Sequence, residues 1–195
     1  DRRQRQMCIR DRLDEIRVQI DAVDTQMKPL FLKRMECAGC VAETKRETGG
    51  DVFVLERELA IIEKRAGDVA PEVRDEYVMF LRHLMSVSRR YQYGILTEKQ
   101  DRVLAEALEA AGLSAEKEHS QIEIAFACDA EASDFNLFVN MAKLNQISII
   151  SLNLETEEGR QKIRMILKGN LKDQKMRQLL CQIGKEAEGF QIVGM

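Results

Sequence analysis

The chain has 195 residues, of which 45% are hydrophobic, so it can bury one large core or two small ones. Its 30 basic and 33 acidic residues are well mixed, and the net charge of -3 excludes a global positive field that would favour nucleic acid or anionic membranes. The longest apolar runs, such as ISII, are too short to span a membrane and no signal-peptide pattern opens the chain, so we expect a cytoplasmic protein.

Residues 1–12, DRRQRQMCIRDR, lack an initiator Met, have no apolar period and are rich in Arg. We therefore expect them to be a non-native leader outside the fold.

Residues 13–47 are predicted to form one long helix, because a stripe of positions repeats in alternating steps of four and three. Pro29 lies inside this helix and should kink it.

The first helix carries two unusual features. Three cations, Arg17, Arg34 and Lys45, share the apolar stripe. Cys37 and Cys40 form a CAGC segment, which we interpret as ordinary buried small side chains, because no second CxxC is present and His83 and His119 are distant in the sequence. No metal or redox site is therefore expected there.

Two further helices complete a helical unit at residues 13–95. Gly49 and Gly50 end the first helix, and a second is predicted over about 54–66, VLERELAIIEKRA, which holds an adjacent Arg57 and Glu58. Pro71 opens a third, which runs to about Tyr93. This helix places two polar residues on one face with Leu81 and Met85, namely Ser88 and Gln92.

Beyond the helical unit the hydrophobic period changes. Residues 96–120 are predicted to form a linker helix. The segment is charged and Ala-rich, and over 97–121 its apolar residues recur at helical spacing. Residues 121–195 then alternate between strand and helix patterns in the order βαββαβ: IEIAFAC, DFNLFVNMAKLN, ISIISLNL, IRMILK, MRQLLCQIGKEA and FQIVG. This order predicts a ferredoxin-like α+β unit.

The cations on the apolar stripe have two explanations. Their stems could cover the core while their heads reach water. Alternatively they could face a polar site, because Arg57, Glu58, Ser88 and Gln92 lie on the two helices that should pack against them. Buried charge without a partner is costly, and a small dianionic ligand would satisfy such a cluster.

The polar pattern resembles the all-helical class of chorismate mutase over residues 13–93. The resemblance runs through LDEIRVQIDAVD, FLKRMECAGCVAETK, VLERELAIIEKR and FLRHLMSVSRRYQ, and the positions that match in type and order are Arg17, Arg34, Lys45, Arg57, Glu58, Ser88 and Gln92. The chain departs from the family at Val54, where an acidic residue is common, and at Pro29, which could shift the geometry.

The resemblance implies a rearrangement of chorismate to prephenate in the shikimate pathway of phenylalanine and tyrosine biosynthesis, with no cofactor and no metal. It implies that Arg17 and Arg34 clamp the substrate carboxylates with support from Arg57, while Ser88 lies near a carboxylate. It also implies that Lys45 and Gln92 donate to the ether oxygen and that Glu58 accepts from the ring hydroxyl.

Helix geometry adds a constraint on how these residues meet. At a rise of about 1.5 Å per residue, Arg34 and Lys45 lie roughly 17 Å apart along the axis, and Arg17 lies about 25 Å from Arg34. Two long side chains could converge between Arg34 and Lys45, but Arg17 cannot reach the same point from a straight helix. A homodimer with shared active sites is the simpler solution, unless Pro29 bends the helix strongly, and an intertwined dimer is what the family implies.

The C-terminal unit resembles ACT-type regulatory domains, which implies an aromatic amino-acid effector. Such domains usually have a glycine-containing turn after the first strand, whereas this chain has DAEASD at 129–134. Asp129, Ser133 and Asp134 could simply cap the following helix. A structural or dimerising role for the unit is the alternative.

Three function classes remain open from the sequence. The first is a chorismate mutase with a regulatory domain. The second is an isochorismate pyruvate-lyase-like enzyme of the same helical family, against which Glu58 argues because it matches the hydroxyl contact of the mutase. The third is a catalytically idle dimerisation or regulatory module.

Overall fold

The structure is a computed structural model that describes residues 2–130 and 135–195, with side chains from residue 9 onward. It contains four helices followed by a mixed α+β unit. The elements in chain order are α1 (Arg2–Thr48), α2 (Leu55–Ala66), α3 (Pro71–Ile95), α4 (Thr97–Ala111), β1 (Gln121–Asp129), α5 (Phe135–Leu144), β2 (Ile149–Glu157), β3 (Arg160–Lys168), α6 (Gln174–Glu186) and β4 (Glu188–Gly194).

Helix α1 is longer than the sequence pattern predicted. It begins at Arg2, so residues 2–12, which we expected to lie outside the fold, continue the helix. Arg and Gln have high helix propensity, and this is sufficient to extend a helix that packing stabilises further along. The helix also continues through Pro29. It ends where Gly49 adopts φ +75 and its N–H bonds the carbonyl of Lys45 at 2.9 Å.

The second and third helices form where the sequence predicted them. Pro71 occupies the first turn of α3, where its missing N–H costs no helical hydrogen bond. Leu81 and Met85 of α3 pack with Ile62 of α2 in a small buried cluster. One face of α3 therefore packs towards α2, and this orients Ser88 and Gln92 further along the same helix.

Helix α4 ends earlier than predicted and is more than a linker. It stops at Ala111 because Gly112 adopts a left-handed conformation with φ +65, and residues 112–120 are not helical. Its apolar residues Leu104 and Leu108 are buried in the core of the C-terminal unit, while Val103 packs with Tyr93 and Cys181. The amphipathic pattern of α4 thus serves packing rather than simple connection.

The C-terminal unit is a four-stranded sheet with the order β2-β3-β1-β4, in which all neighbours are antiparallel. Alternate residues of β1, such as Ile124 and Phe126, point into a core that includes Phe138 of α5 and Leu179 of α6. This topology confirms the predicted ferredoxin-like fold. The predicted capping residues Ser133 and Asp134 lie outside the described residues.

The two units share an interface in which α6 packs against α3. Gln178 donates through Nε2 to the carbonyl of Arg90 at 2.6 Å, and Gln182 donates through Nε2 to the carbonyl of Ser86 at 3.3 Å. Helix α3 thus packs against α6 as well as against α1 and α2. Within the described residues, no helix is long and apolar enough to cross a membrane.

Candidate active site

A cleft of about 330 Å³ opens between α1, α2 and α3. Its lining includes every residue of the predicted site except Arg17. Helix α1 contributes Arg34 and Lys45, α2 contributes Arg57 and Glu58, and α3 contributes Ser88 and Gln92. The structure therefore brings together residues that are separated by up to about 60 positions in the chain, because the three helices pack around one concave surface.

Arg34 extends a partly buried guanidinium into the cleft. Burial lowers the pKa of this guanidinium, against the opposing attraction of Glu58. Its Nη1 atom is buried and has no hydrogen-bond partner among the described residues. A buried donor of this kind is costly, so a ligand that accepts from it would stabilise the site.

Lys45 reaches the cleft from the far end of α1. Its Nζ donates to the carbonyl of Val52 at 3.2 Å. Burial lowers the pKa of Lys45, and the neighbouring charges of Arg57 and Lys99 lower it further. The clustering of cations around Lys45 creates a local positive potential that favours an anionic ligand.

The polar pair of α3 lies on the opposite wall. Ser88 and Gln92 are both buried. Gln92 makes one long contact, from Nε2 to the carbonyl of Ser88 at 3.5 Å, and its Oε1 has no partner among the described residues. A rotation of this amide exchanges its donor and acceptor, so Gln92 is free to present an N–H to a ligand.

Glu58 is held by a residue that the sequence analysis missed. Arg89 donates from Nη1 to both carboxylate oxygens of Glu58 at 2.5 Å, and its side chain is only 5% exposed. Its remaining donors contact Glu186 of α6. Burial lowers the pKa of Arg89, but Glu186 and Glu58 outweigh burial and hold that pKa above the ordinary arginine value. The sequence contained one signal for Arg89: it follows the buried Met85 by four residues, so the two side chains share a helical face.

Three further residues of the cleft lining are Arg57, Val54 and Cys37. Arg57 is exposed there, which suits the supporting role that the resemblance implies. Val54 lines the cleft with an apolar side chain. Cys37 also lines the cleft, and both Cys37 and Cys40 are exposed. The expectation that these cysteines are buried was wrong, because the face of α1 that carries them is left uncovered by α3.

Arg17 lies outside the cleft. Its side chain is 70% exposed and its Nη1 pairs with Asp14 Oδ1 at 2.8 Å. Continuous helix separates it from Arg34, so the chain does not bring the two residues together, in line with the helix geometry.

The parts of the three helices that line the cleft lie in a segment that matches the model of a known protein family. Residues 16–93 match the family model for chorismate mutase type II. The segment that resembles chorismate mutase type II is therefore the segment whose helices form the cleft. The matched range contains all the residues that line the cleft, and it stops before α4 and the ferredoxin-like unit.

A relative found among curated proteins matches about half of this chain. The T-protein of Haemophilus influenzae is 30% identical to this chain over 101 residues. The match covers 49% of this chain and 26% of that protein, so the chain spans about a quarter of the relative's length. The segment that matches the chorismate mutase type II model is therefore joined to a C-terminal unit that the family model does not cover.

Proposed function

We propose that the chain converts chorismate to prephenate. The observation that carries this proposal is the cleft itself, where Arg34 and Gln92 present buried polar atoms with no partner among the described residues. Chorismate carries two carboxylates and an ether oxygen, which can accept from Arg34 Nη1 and, when the amide of Gln92 is rotated, from its N–H. The match of residues 16–93 to chorismate mutase type II supports the same assignment.

The reaction is an intramolecular rearrangement that needs no nucleophile. One carbon–oxygen bond of the ether breaks while one carbon–carbon bond forms, and no atom leaves the substrate. The residues act by holding a reactive conformer and by stabilising the negative charge that grows on the ether oxygen. Lys45 offers that oxygen a cation and Gln92 offers it an amide N–H.

The remaining residues bind the substrate. Arg34 clamps one carboxylate with a guanidinium fork, and Arg57 adds positive charge at the rim. Ser88 lies near a carboxylate. Glu58 uses the acceptor capacity that Arg89 leaves free to accept from the ring hydroxyl, because an ionised carboxylate offers about four lone-pair sites. This contact favours the mutase over an isochorismate pyruvate-lyase-like activity.

A homodimer with shared sites is part of the proposal, because Arg17 then reaches the cleft of its partner. Two features of α1 support it. The half of α1 before Pro29 exposes apolar side chains at heptad spacing: Leu13, Ile16, Ile20, Val23 and Met27. An apolar groove of about 700 Å³, lined by Phe31, Phe80 and Leu84 among others, lies beside Arg34 between α1 and α3. A second copy packed antiparallel would cover both surfaces.

Regulation through the ferredoxin-like unit is the finer part of the proposal. An aromatic amino acid would bind this unit and change the affinity of the cleft for chorismate. The contact between α6 and α3 supports a physical route, because α3 carries Ser88 and Gln92. Titration of phenylalanine and tyrosine into the full chain by calorimetry, with and without chorismate, tests it; no binding heat and no change in turnover would contradict it.

The experiment that tests the activity is product identification. The purified full chain is incubated separately with chorismate and with isochorismate, and the products are identified by NMR. The proposal expects prephenate from chorismate. Pyruvate released from isochorismate, without prephenate from chorismate, would favour the lyase, and no conversion of either compound would favour a catalytically idle module.

A further inference from the structure

Arg89 connects the cleft to the ferredoxin-like unit. Its Nε and Nη2 donate to the two carboxylate oxygens of Glu186 on α6, at 2.7 Å and 2.9 Å, which makes a bidentate pair. Its Nη1 donates to Glu58 on α2. One guanidinium therefore joins a carboxylate of the C-terminal unit to a carboxylate of the proposed active site.

The side chains of Glu186 and Arg89 are both buried and held by further contacts. The side chain of Glu186 is 3% exposed, and Gln182 donates to its Oε1 at 3.0 Å. Gln182 also donates to the carbonyl of Ser86, which ties α6 to the backbone of α3. The guanidinium of Arg89 lies 4.8 Å from the ring centroid of Phe53, so an aromatic face further restricts its orientation.

Arg89 lines the cleft, but its donors are engaged by carboxylates of the protein. Each of its three nitrogens donates to a carboxylate, and its side chain is almost fully enclosed. A planar guanidinium that is held at two points by Glu186 can present Nη1 in only one direction. That direction sets where the carboxylate of Glu58 sits.

We propose that Arg89 is a positioning residue for Glu58 and that Glu186 of the ferredoxin-like unit anchors it, so that α6 is part of the scaffold of the active site. This inference rests on the proposed function of the cleft. It gives the C-terminal unit a role in the basal reaction, whether or not an effector binds. It also means that a movement of α6 relative to α3 would displace Glu58.

A double-mutant cycle tests this connection in the full chain. Glu186→Gln keeps the shape of the side chain but removes the charge that anchors Arg89. We expect kcat/KM for chorismate to fall about tenfold or more, since a misplacement of about 1 Å can cost about a hundredfold in rate. In a Glu58→Gln background the same substitution should cost less than about twofold, because the group that it positions is already altered.

The matched control is Gln178→Leu. This change removes another contact between α6 and α3, the hydrogen bond to the carbonyl of Arg90, without touching Arg89 or Glu58. It should leave kcat/KM within about twofold of wild type, as expected for a site with no shared partner. An equal loss in Gln178→Leu and Glu186→Gln would overturn the proposal, as would an equal loss in both Glu58 backgrounds or no loss at all.

Two further measurements keep the test decisive. If circular dichroism shows that Glu186→Gln does not fold, Arg89→Lys replaces it, because a lysine keeps the charge but cannot hold both carboxylates. The losses in kcat/KM for Arg89→Lys and Glu58→Gln should then be non-additive. Additive losses would overturn the proposal. If the wild-type chain does not convert chorismate, the proposed function fails on its own. Thermal unfolding of the same variants then tests the connection, which predicts non-additive Tm changes for Glu58 and Glu186 and is refuted by additive ones.

Discussion

Arg34 and Lys45 lie about three turns apart on α1, and both line the same cleft. Their separation along the axis is roughly 17 Å at about 1.5 Å per residue, so their long side chains approach a ligand from its two ends. This spacing suits a substrate with negative groups at both ends. The wall opposite is formed by Ser88 and Gln92, which donate but carry no charge.

The first prediction concerns these two cations. Arg34→Ala removes a clamp on a substrate carboxylate, and Lys45→Ala removes a donor to the developing charge, so each should lower kcat/KM by at least about a hundredfold. Neither should unfold the protein, because Arg34 has a buried donor without a partner and Lys45 makes a single backbone contact. Steady-state kinetics and thermal unfolding measure the two effects. Lys33→Ala is the control, since Lys33 is exposed on the same helix. Near wild-type turnover in either cleft variant would refute the site assignment.

The second prediction concerns pH. Lys45 must be protonated to donate, and burial together with Arg57 and Lys99 lowers its pKa. The value of kcat/KM should therefore fall on the alkaline side at a pH below the ordinary lysine pKa of about 10.4. A bound dianion opposes this effect, so the fall in kcat should occur at higher pH. In Lys45→Arg the alkaline fall should disappear. A fall at the same pH in both proteins would exclude Lys45 as its source.

The third prediction concerns Gln92. A glutamate at this position can donate to the ether oxygen only when its carboxyl is protonated. Gln92→Glu should therefore be active at acidic pH and lose activity as pH rises, whereas the wild type keeps its activity over that range. This difference is measured by recording the activity of both proteins as a function of pH. If the two profiles have the same shape, Gln92 is not a donor to the reacting oxygen.

The fourth prediction tests whether two copies share each site. Arg17→Ala and Lys45→Ala should each be nearly inactive alone. If Arg17 serves the partner's cleft, a mixed dimer of the two variants has one intact site, and random exchange should restore about a quarter of wild-type activity. Unfolding and refolding the mixture allows the exchange. No recovery, together with dimers confirmed by light scattering, would place Arg17 outside the site or within its own chain's cleft.

The residues that the helices contribute to the cleft were predictable because their signals are local. Arg34 and Lys45 fall on one stripe of one helix, and Ser88 and Gln92 are four residues apart, so a period of 3.6 places each pair on a common face. The strand order of the C-terminal unit was predictable for a similar reason, since each strand and helix has its own period. The packing of these elements then follows from burying their apolar faces.

The features that were missed depend on contacts between distant segments. Arg89 and Glu186 are 97 positions apart, and nothing in the sequence pairs them. Leu104 and Leu108 showed that α4 is amphipathic, but not that its apolar face joins the core of the C-terminal unit. The exposure of Cys37 and Cys40 follows from which face of α1 meets α3, and helical spacing alone does not determine that choice.

We infer that the cleft between α1, α2 and α3 rearranges chorismate. The most direct measurement is the rate of chorismate loss, followed by absorbance, with the purified full chain and no added cofactor. We expect saturable turnover in the range of about 1 to 10³ per second that is typical of enzymes. The same preparation of Lys45→Ala should approach the uncatalysed rate. Loss of chorismate at the uncatalysed rate with folded wild-type protein would show that the cleft does not catalyse this reaction.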